Sequence, residues 1–232
     1  MNTQDAKAVL DRIFGDVFGY KNPMTMEQFM LRYTYDLRLP QKVFDSTDGT
    51  PTWALLLSST KFITSDNVVK RHKEDEWLVP KHSLETIQDV LNAWNEVNLT
   101  ATERQINSRN VGESDNIYNS QNIYRSQDIR YSENILLSDT IDNSKYIAAS
   151  QRSMDSQSCI RLEDSKECEN SFNISWSGKV KNSFFLHDCL NMEDSMFCSH
   201  MANKRFCVAN MQFDEKEYKK IKELVIKWIL QP

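Results

Sequence analysis

The fold is decided by the stretch from Ser114 to Arg161, which reads SDNIYN SQNIYR SQDIRY SENILL SDTIDN SKYIAA SQRSMD SQSCIR. Serine recurs every six residues, and isoleucine recurs in the same period three places later. The isoleucines are Ile117, Ile123, Ile129, Ile135, Ile141 and Ile147. A period of six fits neither a 3.6-residue helix nor a two-residue strand, and it is typical of a β-solenoid.

The repeat then changes phase without losing its spacing. After Ile147 the isoleucine position holds small residues, as at Ser153 and Ser165, while the former serine position turns apolar, as at Leu162 and Ile174. The underlying unit is therefore three residues, with small and large inward side chains alternating. The residue before many of the inward positions is Asn or Asp, which tolerate a left-handed backbone and predict corners in a chain with only five glycines.

The number of residues in one coil does not follow from the spacing. Three six-residue sides would give a coil of about 18 residues, and about five such coils would rise roughly 24 Å at the distance between paired strands.

The flanking segments differ from the repeat. Residues 1–106 contain helical patterns at Asp5–Phe18, after Thr25 and after Ser83, and a turn cluster at Asp45–Pro51 between two predicted strands, Lys42–Asp45 and Thr52–Ile63. Residues 214–232 begin with acids and carry an apolar stripe. We therefore expect a mainly β protein, with a single-stranded β-solenoid at 107–213, a small α+β domain at 1–106 docked on the first coil, and a C-terminal capping helix at 214–232.

Charge and hydropathy narrow the setting. The net charge is −5, and residues 107–213 hold 14 acids against 11 bases, so no segment has the basic excess that non-specific nucleic-acid binding needs. The apolar runs are too short to span a bilayer. Without a visible secretory signal, we expect a cytoplasmic or virion-associated protein that has no membrane contact.

The five cysteines follow the three-residue register. Cys159, Cys168, Cys189, Cys198 and Cys207 stand where other repeats have Ser, Ile or Leu. No C-x-x-C pair occurs, so we expect buried free thiols and neither a metal site nor disulfides. No cofactor is indicated.

One group of outward residues is a candidate partner-binding patch. Tyr118, Tyr124 and Tyr131, with Arg125 and Arg130, combine the aromatic and guanidinium side chains that dominate protein interfaces and that also stack on bases. Packing beneath the N-terminal region is the alternative role for the same residues.

The end of the repeat resembles a known group of proteins. The phrase from Asn203 to Phe213, NKRFCVANMQF, is similar to the ending N-K-x-F-C-x-x-N-x-Q-[FY] of uncharacterised bacterial and phage proteins with Cys- and Ser-rich triplet repeats. The resemblance covers roughly the last half of the chain. It implies a solenoid and no particular chemistry.

Three functions stay open. The first is a non-enzymatic scaffold that binds protein partners in a larger assembly, such as a phage or mobile-element particle. The second is a hexapeptide-type acyl or nucleotidyl transferase, for which His187 and His200 are the histidines to examine, although no catalytic residue is indicated. The third is a nucleic-acid-binding or DNA-mimicking module, which the charge does not favour. We expect the first.

Overall fold

The computed structural model describes residues 1–55, 61–71 and 77–231. It is mainly β, with a solenoid of about nine turns, a small N-terminal α/β region and a C-terminal helix. The predicted fold class is confirmed. Within the described residues no helix is both long and apolar enough to cross a membrane.

Five helices and four short strands lie outside the solenoid. The helices are α1 (Thr3–Phe18), α2 (Met26–Tyr33), α3 (Ser65–Lys70), α4 (Ile87–Val97) and α5 (Glu215–Ile229). The strands are β1 (Gln41–Phe44), β2 (Pro51–Ala54), β3 (Phe62–Thr64) and β4 (Thr100–Thr102). β1 and β2 form the predicted antiparallel hairpin, and β3 pairs in parallel with β4. Residues 56–60 of the predicted second strand lie outside the described residues.

The solenoid is built from eighteen strands. They are β5 (Gln105–Ile106), β6 (Arg109–Gly112), β7 (Asp115–Tyr118), β8 (Gln121–Tyr124), β9 (Gln127–Arg130), β10 (Glu133–Leu136), β11 (Asp139–Asp142), β12 (Lys145–Ala148), β13 (Gln151–Met154), β14 (Gln157–Glu169), β15 (Phe172–Ser175), β16 (Gly178–Lys181), β17 (Phe184–His187), β18 (Leu190–Glu193), β19 (Met196–Ser199), β20 (Ala202–Arg205), β21 (Cys207–Val208) and β22 (Met211–Gln212).

One coil takes 12 residues, so the expected 18-residue coil is wrong. Ile117 pairs with Ile129, and Ile123 pairs with Ile135, in parallel register. The same offset continues to the last coils, where Met192 pairs with Lys204. About nine turns therefore replace the expected five, and the rod is roughly 40 Å long at the spacing of paired strands.

The backbone explains the short coil. Every third residue from Asn107 to Ala209 has a φ between 43° and 63°. Each three-residue unit therefore ends in a left-handed corner, and four units close a coil. Asn and Asp are frequent at these corners because they adopt the left-handed conformation at low cost. Their amides also join neighbouring coils, as where Asn110 Nδ2 donates to Asn122 Oδ1 at 2.8 Å.

The inward serines connect the coils. Ser138 Oγ donates to the Leu136 carbonyl at 2.7 Å and accepts from the Ser150 N–H at 3.2 Å. Ser132 does the same with the Arg130 carbonyl and the Ser144 N–H, at 2.6 and 3.1 Å. Each buried hydroxyl is thus satisfied, and each supplies a partner for the backbone of the next coil. The serine ladders hold the coils in register while the isoleucine ladders fill the core.

The phase change occurs inside β14. Leu162 follows Ser150 in one ladder, and Cys159 follows Ile147 in another, so large and small residues exchange ladders. Because the offset between coils stays at 12 residues, the exchange redistributes volume in the core without disturbing the strand register.

One side of the rod, which we call the covered face, carries an apolar outer ladder: Gly112, Tyr124, Leu136, Ala148, Ile160, Phe172, Phe184, Met196 and Val208. α1 contacts β8, β10, β12 and β14. It is about 24 Å long, the height of several coils. The N-terminal region therefore lies along the rod, and not on the first coil alone.

Gly112 admits the start of the chain. A Cβ at this position would lie 2.0 Å from the carbonyl oxygen of Met1. The absence of a side chain lets Met1 rest on the first coil, which places α1 over the ladder that follows.

α5 continues the cover over the last coils. Tyr218 packs on Phe206 with ring centroids 5.5 Å apart, and Trp228 lies 5.8 Å from Phe185. The residues that α5 buries are Tyr218, Ile226 and Ile229. Leu224, which the sequence places in the apolar stripe, is 66% exposed, because the helix turns that position away from the rod.

Candidate functional site: the open face of the solenoid

The face half a coil away from the covered face carries none of the chain's own helices, and we call it the open face. Its two outward ladders contain Tyr118, Arg130, Asp142, Met154 and Lys166 in one and Asn119, Tyr131 and Lys179 in the other. Tyr131 is 62% exposed, and Arg130 is also exposed.

The predicted five-residue patch is divided between the two faces. Tyr118 and Tyr124 are six residues apart, which is half of a 12-residue coil, so they point to opposite sides of the rod. Tyr124 and Arg125 belong to the covered face, whereas Tyr118, Arg130 and Tyr131 belong to the open face. The sequence alternative, packing beneath the N-terminal region, describes the first two residues.

Tyr124 and Arg125 are held by the N-terminal region. The Tyr124 hydroxyl lies 3.1 Å from Thr3 Oγ1 and 3.2 Å from Glu113 Oε1. Burial raises the pKa of Tyr124, assisted by the Glu113 carboxylate and opposed by the Thr3 hydrogen bond. The Arg125 guanidinium lies 5.4 Å from the centre of the Trp53 ring. These contacts leave Tyr124 with only 5% of its surface exposed.

Tyr118 and Arg130 form a contact between neighbouring coils. The Arg130 guanidinium lies 5.9 Å from the centre of the Tyr118 ring, and the Tyr118 hydroxyl donates to Asn116 Oδ1 at 2.8 Å. The Asn116 amide in turn donates to Asp128. The tyrosine ring is therefore fixed, and it supports the arginine in an exposed position from which its N–H groups face solvent.

Arg130 and Tyr131 stand between two shallow grooves. One groove, of about 440 Å³, is lined by Arg130 together with charged residues of both signs: Asp128, Asp142, Arg152, Asp164 and Lys166. The other, of about 420 Å³, is lined by Tyr131, Asn119 and Gln121, and also by Glu133 and Lys145. Glu133 and Lys145 form an ion pair at 3.5 Å. Met154, 37% exposed, adds an apolar surface to the first groove.

This arrangement suits recognition of a protein surface. An exposed arginine supplies a planar fork of donors for a carboxylate, and a neighbouring tyrosine supplies apolar area with a polar end. The lining residues Asp142, Arg152 and Lys166 are not in the sequence-predicted patch. The coil length is the signal that finds them, since Asp142 is 12 residues after Arg130 and Lys166 is 24 after Asp142.

The two histidines lie on another side of the rod. His187 Nδ1 is 3.0 Å from Ser175 Oγ, and His200 Nδ1 is 2.7 Å from Asp188 Oδ2. The two rings are 6.0 Å apart between centroids, and the side chain of His200 is 71% exposed. Each histidine pairs with the residue 12 positions earlier in the chain, so both contacts follow from stacking of coils.

The cysteines are buried and free, as the sequence predicts. Cys159 donates to the Gln157 carbonyl and Cys168 to the Lys166 carbonyl, the contact that serine makes at equivalent positions. Burial raises the pKa of Cys168 to about 12 and raises that of Cys159 as well. Thiols of this kind are poor nucleophiles. Among the residues that the structure describes, no three His, Cys, Asp or Glu side chains are placed to hold a metal ion.

Comparison with known proteins does not add a family. No protein-family model matches the chain, and no curated protein matches it.

Proposed function

We propose that this protein is a non-enzymatic scaffold that binds a protein partner through its open face, as a rigid subunit of a larger assembly. The observation that carries the proposal is the division of the rod. One long face is filled by the chain's own helices, and the face half a coil away presents Arg130 and an exposed Tyr131 between two grooves.

The stiffness of the rod favours this function. Each coil is joined to the next by parallel strand pairing and by inward serine hydrogen bonds such as Ser132 to Ser144. Groups on the open face are therefore held at fixed multiples of the strand spacing, roughly 4.8 Å. A rod of this kind sets the distance and orientation between the partners that it binds.

The partner we propose presents a carboxylate to Arg130 and an apolar group to Tyr131. A phage or other mobile-element particle is the setting we propose, on the strength of the resemblance of the closing phrase Asn203–Phe213 to bacterial and phage proteins. The location that goes with it is cytoplasmic or virion-associated.

Capture of the tagged chain's partners from its native host, followed by mass spectrometry and sizing of the complex, tests the proposal. We expect a stoichiometric assembly that the double variant Arg130→Ala/Tyr131→Ala captures at least tenfold less well. The matched control is Lys179→Ala, which removes an exposed residue of the Tyr131 ladder four coils away.

Two outcomes would overturn the proposal. One is a chain that runs as a free trimer without a protein partner, the state expected for a hexapeptide-type transferase. The other is capture of nucleic acid with an affinity that falls steeply as salt is added, which is the behaviour of a phosphate-binding surface.

A further inference from the structure

α4 differs from the helices that cover the rod, because its apolar side faces solvent. α1 buries six residues and α5 buries three, whereas α4 buries none. The exposed fractions along α4 are Ile87 73%, Val90 43%, Leu91 51%, Trp94 58% and Val97 39%.

These five side chains share one side of the helix. At about 100° per residue they fall within one apolar stripe, in the i, i+3, i+4, i+7 pattern of helices that pack on one another. The two charged residues of α4, Asp89 and Glu96, fall on the other side. The stripe is therefore apolar and uncharged, which is unusual for a surface that remains in water.

α4 is stabilised locally, without a core beneath it. Thr86 caps its first turn, and the Asp89 carboxylate accepts from the Thr86 N–H at 2.8 Å and from the Thr86 hydroxyl at 2.7 Å. Gln88 donates to Asn92 one turn later at 2.9 Å. The helix is thus ordered by its own cap, and packing does not occupy its stripe.

The segment before α4 adds apolar surface. Trp77 is 42% exposed, Leu78 73%, Val79 58% and Leu84 49%. At roughly 150–200 Å² for a fully exposed side chain, α4 and this segment together present on the order of 700–1,000 Å², about half of it on α4. A stable protein pair needs about 800 Å² from each partner. The available area therefore matches what one dimer interface requires.

We infer that α4 is the interface of a twofold pair of this chain. A twofold axis brings the same stripe of two copies together. With the helices antiparallel, Trp94 of each copy lies near Ile87 of the other, and Val90 and Leu91 lie near the axis. Asp89 and Glu96 stay on the outer sides, so no like charges meet across the interface. The stripe has no charged group to select a different partner, and it is complementary to itself.

Sedimentation equilibrium of the full chain, at concentrations from about 1 to 100 μM, tests this inference. It does not need the open face or any other partner. We expect the wild type to have twice the 27.2 kDa mass of one chain, and we expect Trp94→Glu to weaken the pair at least 100-fold and yield a monomer. The control Asn92→Glu places the same charge on the opposite side of the same helix and should leave the pair intact.

Circular dichroism of each variant checks that α4 and the solenoid remain folded, and Ile87→Glu is the second variant should Trp94→Glu aggregate. A wild type that stays monomeric throughout this range overturns the inference. A dimer that survives both Trp94→Glu and Ile87→Glu overturns it too, because the interface must then lie elsewhere. A stripe covered only when a different protein is added, with the free chain monomeric, has the same consequence.

Discussion

Tyr124 and Tyr118 occupy neighbouring repeats with nearly the same sequence, QNIY and DNIY, yet they have different fates. Tyr124 is 5% exposed beneath α1, whereas Tyr118 lies half a coil away, on the open face beside Arg130. The comparison shows that the repeat determines the backbone on both faces equally. Which face is free is decided by the segments that fold back on the rod.

The covered face should be the more sensitive to truncation. Phe184 is fully buried, with its ring 5.6 Å from Phe18 and 5.0 Å from Lys222 Nζ. Phe184→Ala leaves a cavity between the coil and the helices, so we expect a loss of about 3–5 kcal/mol in the free energy of unfolding. Urea denaturation followed by circular dichroism measures it. A loss below 1 kcal/mol would mean that the helices do not share a core with the solenoid.

The serine ladders should respond alike on both faces. Ser138 lies at a corner of the covered face and Ser132 at a corner of the open face, and each provides the hydrogen-bond partner of a buried N–H in the next coil. Ser138→Ala and Ser132→Ala each leave that N–H unpaired, at a cost of about 1–3 kcal/mol. Chemical denaturation of the two variants side by side is the measurement. Losses that differ by more than 2 kcal/mol would contradict an equivalent backbone.

The ion pair between Arg161 and Asp36 attaches the N-terminal region to the covered face and should give it a pH dependence. A hydrogen bond from Arg161, together with its charge, lowers the pKa of Asp36. A carboxyl with a lowered folded pKa stabilises the fold above its unfolded pKa, near 4, and loses that contribution as the pH falls. We expect Asp36→Asn to be less stable than the wild type by about 0.5–1 kcal/mol at pH 7, the small value that solvent exposure allows.

The difference between the wild type and Asp36→Asn should close as the pH falls below 4. Thermal unfolding of both proteins between pH 3 and pH 7 measures it. A constant difference across that range would show that Asp36 contributes through packing and not through its charge.

Stability should change least on the open face. Tyr131 is mostly exposed and supports no other element, so Tyr131→Ala should alter the free energy of unfolding by no more than about 0.5 kcal/mol. The same denaturation assay measures this. A loss comparable with that of Phe184→Ala would remove the distinction between the two faces.

The sequence predicts much of this fold because the repeat carries physical information. The alternation of Ser and Ile identifies the inward positions, and Asn and Asp before them identify left-handed corners such as Asn116 and Asn122. The coil length does not follow, since the same three-residue unit fits different numbers of corners per turn. Only the pairing of Ile117 with Ile129 shows that four units close a coil.

The candidate site inherits that uncertainty. With the coil length unknown, Tyr118 and Tyr124 cannot be assigned to faces, and the charged residues that line the groove beside Arg130 cannot be brought together. The apolar pattern at Ile87–Val97 predicts a helix correctly, but a pattern does not say whether a partner lies within the chain. For α4, unlike α1, it does not.

The most direct test of the open face as a binding surface is hydroxyl-radical footprinting of the captured complex against the free chain. Our account predicts that Tyr118 and Tyr131 lose most of their labelling in the complex. Trp176, 53% exposed on another side of the rod, should keep its labelling. If Tyr131 is labelled equally in the free chain and in the complex while other exposed residues are protected, the open face is not the surface that binds.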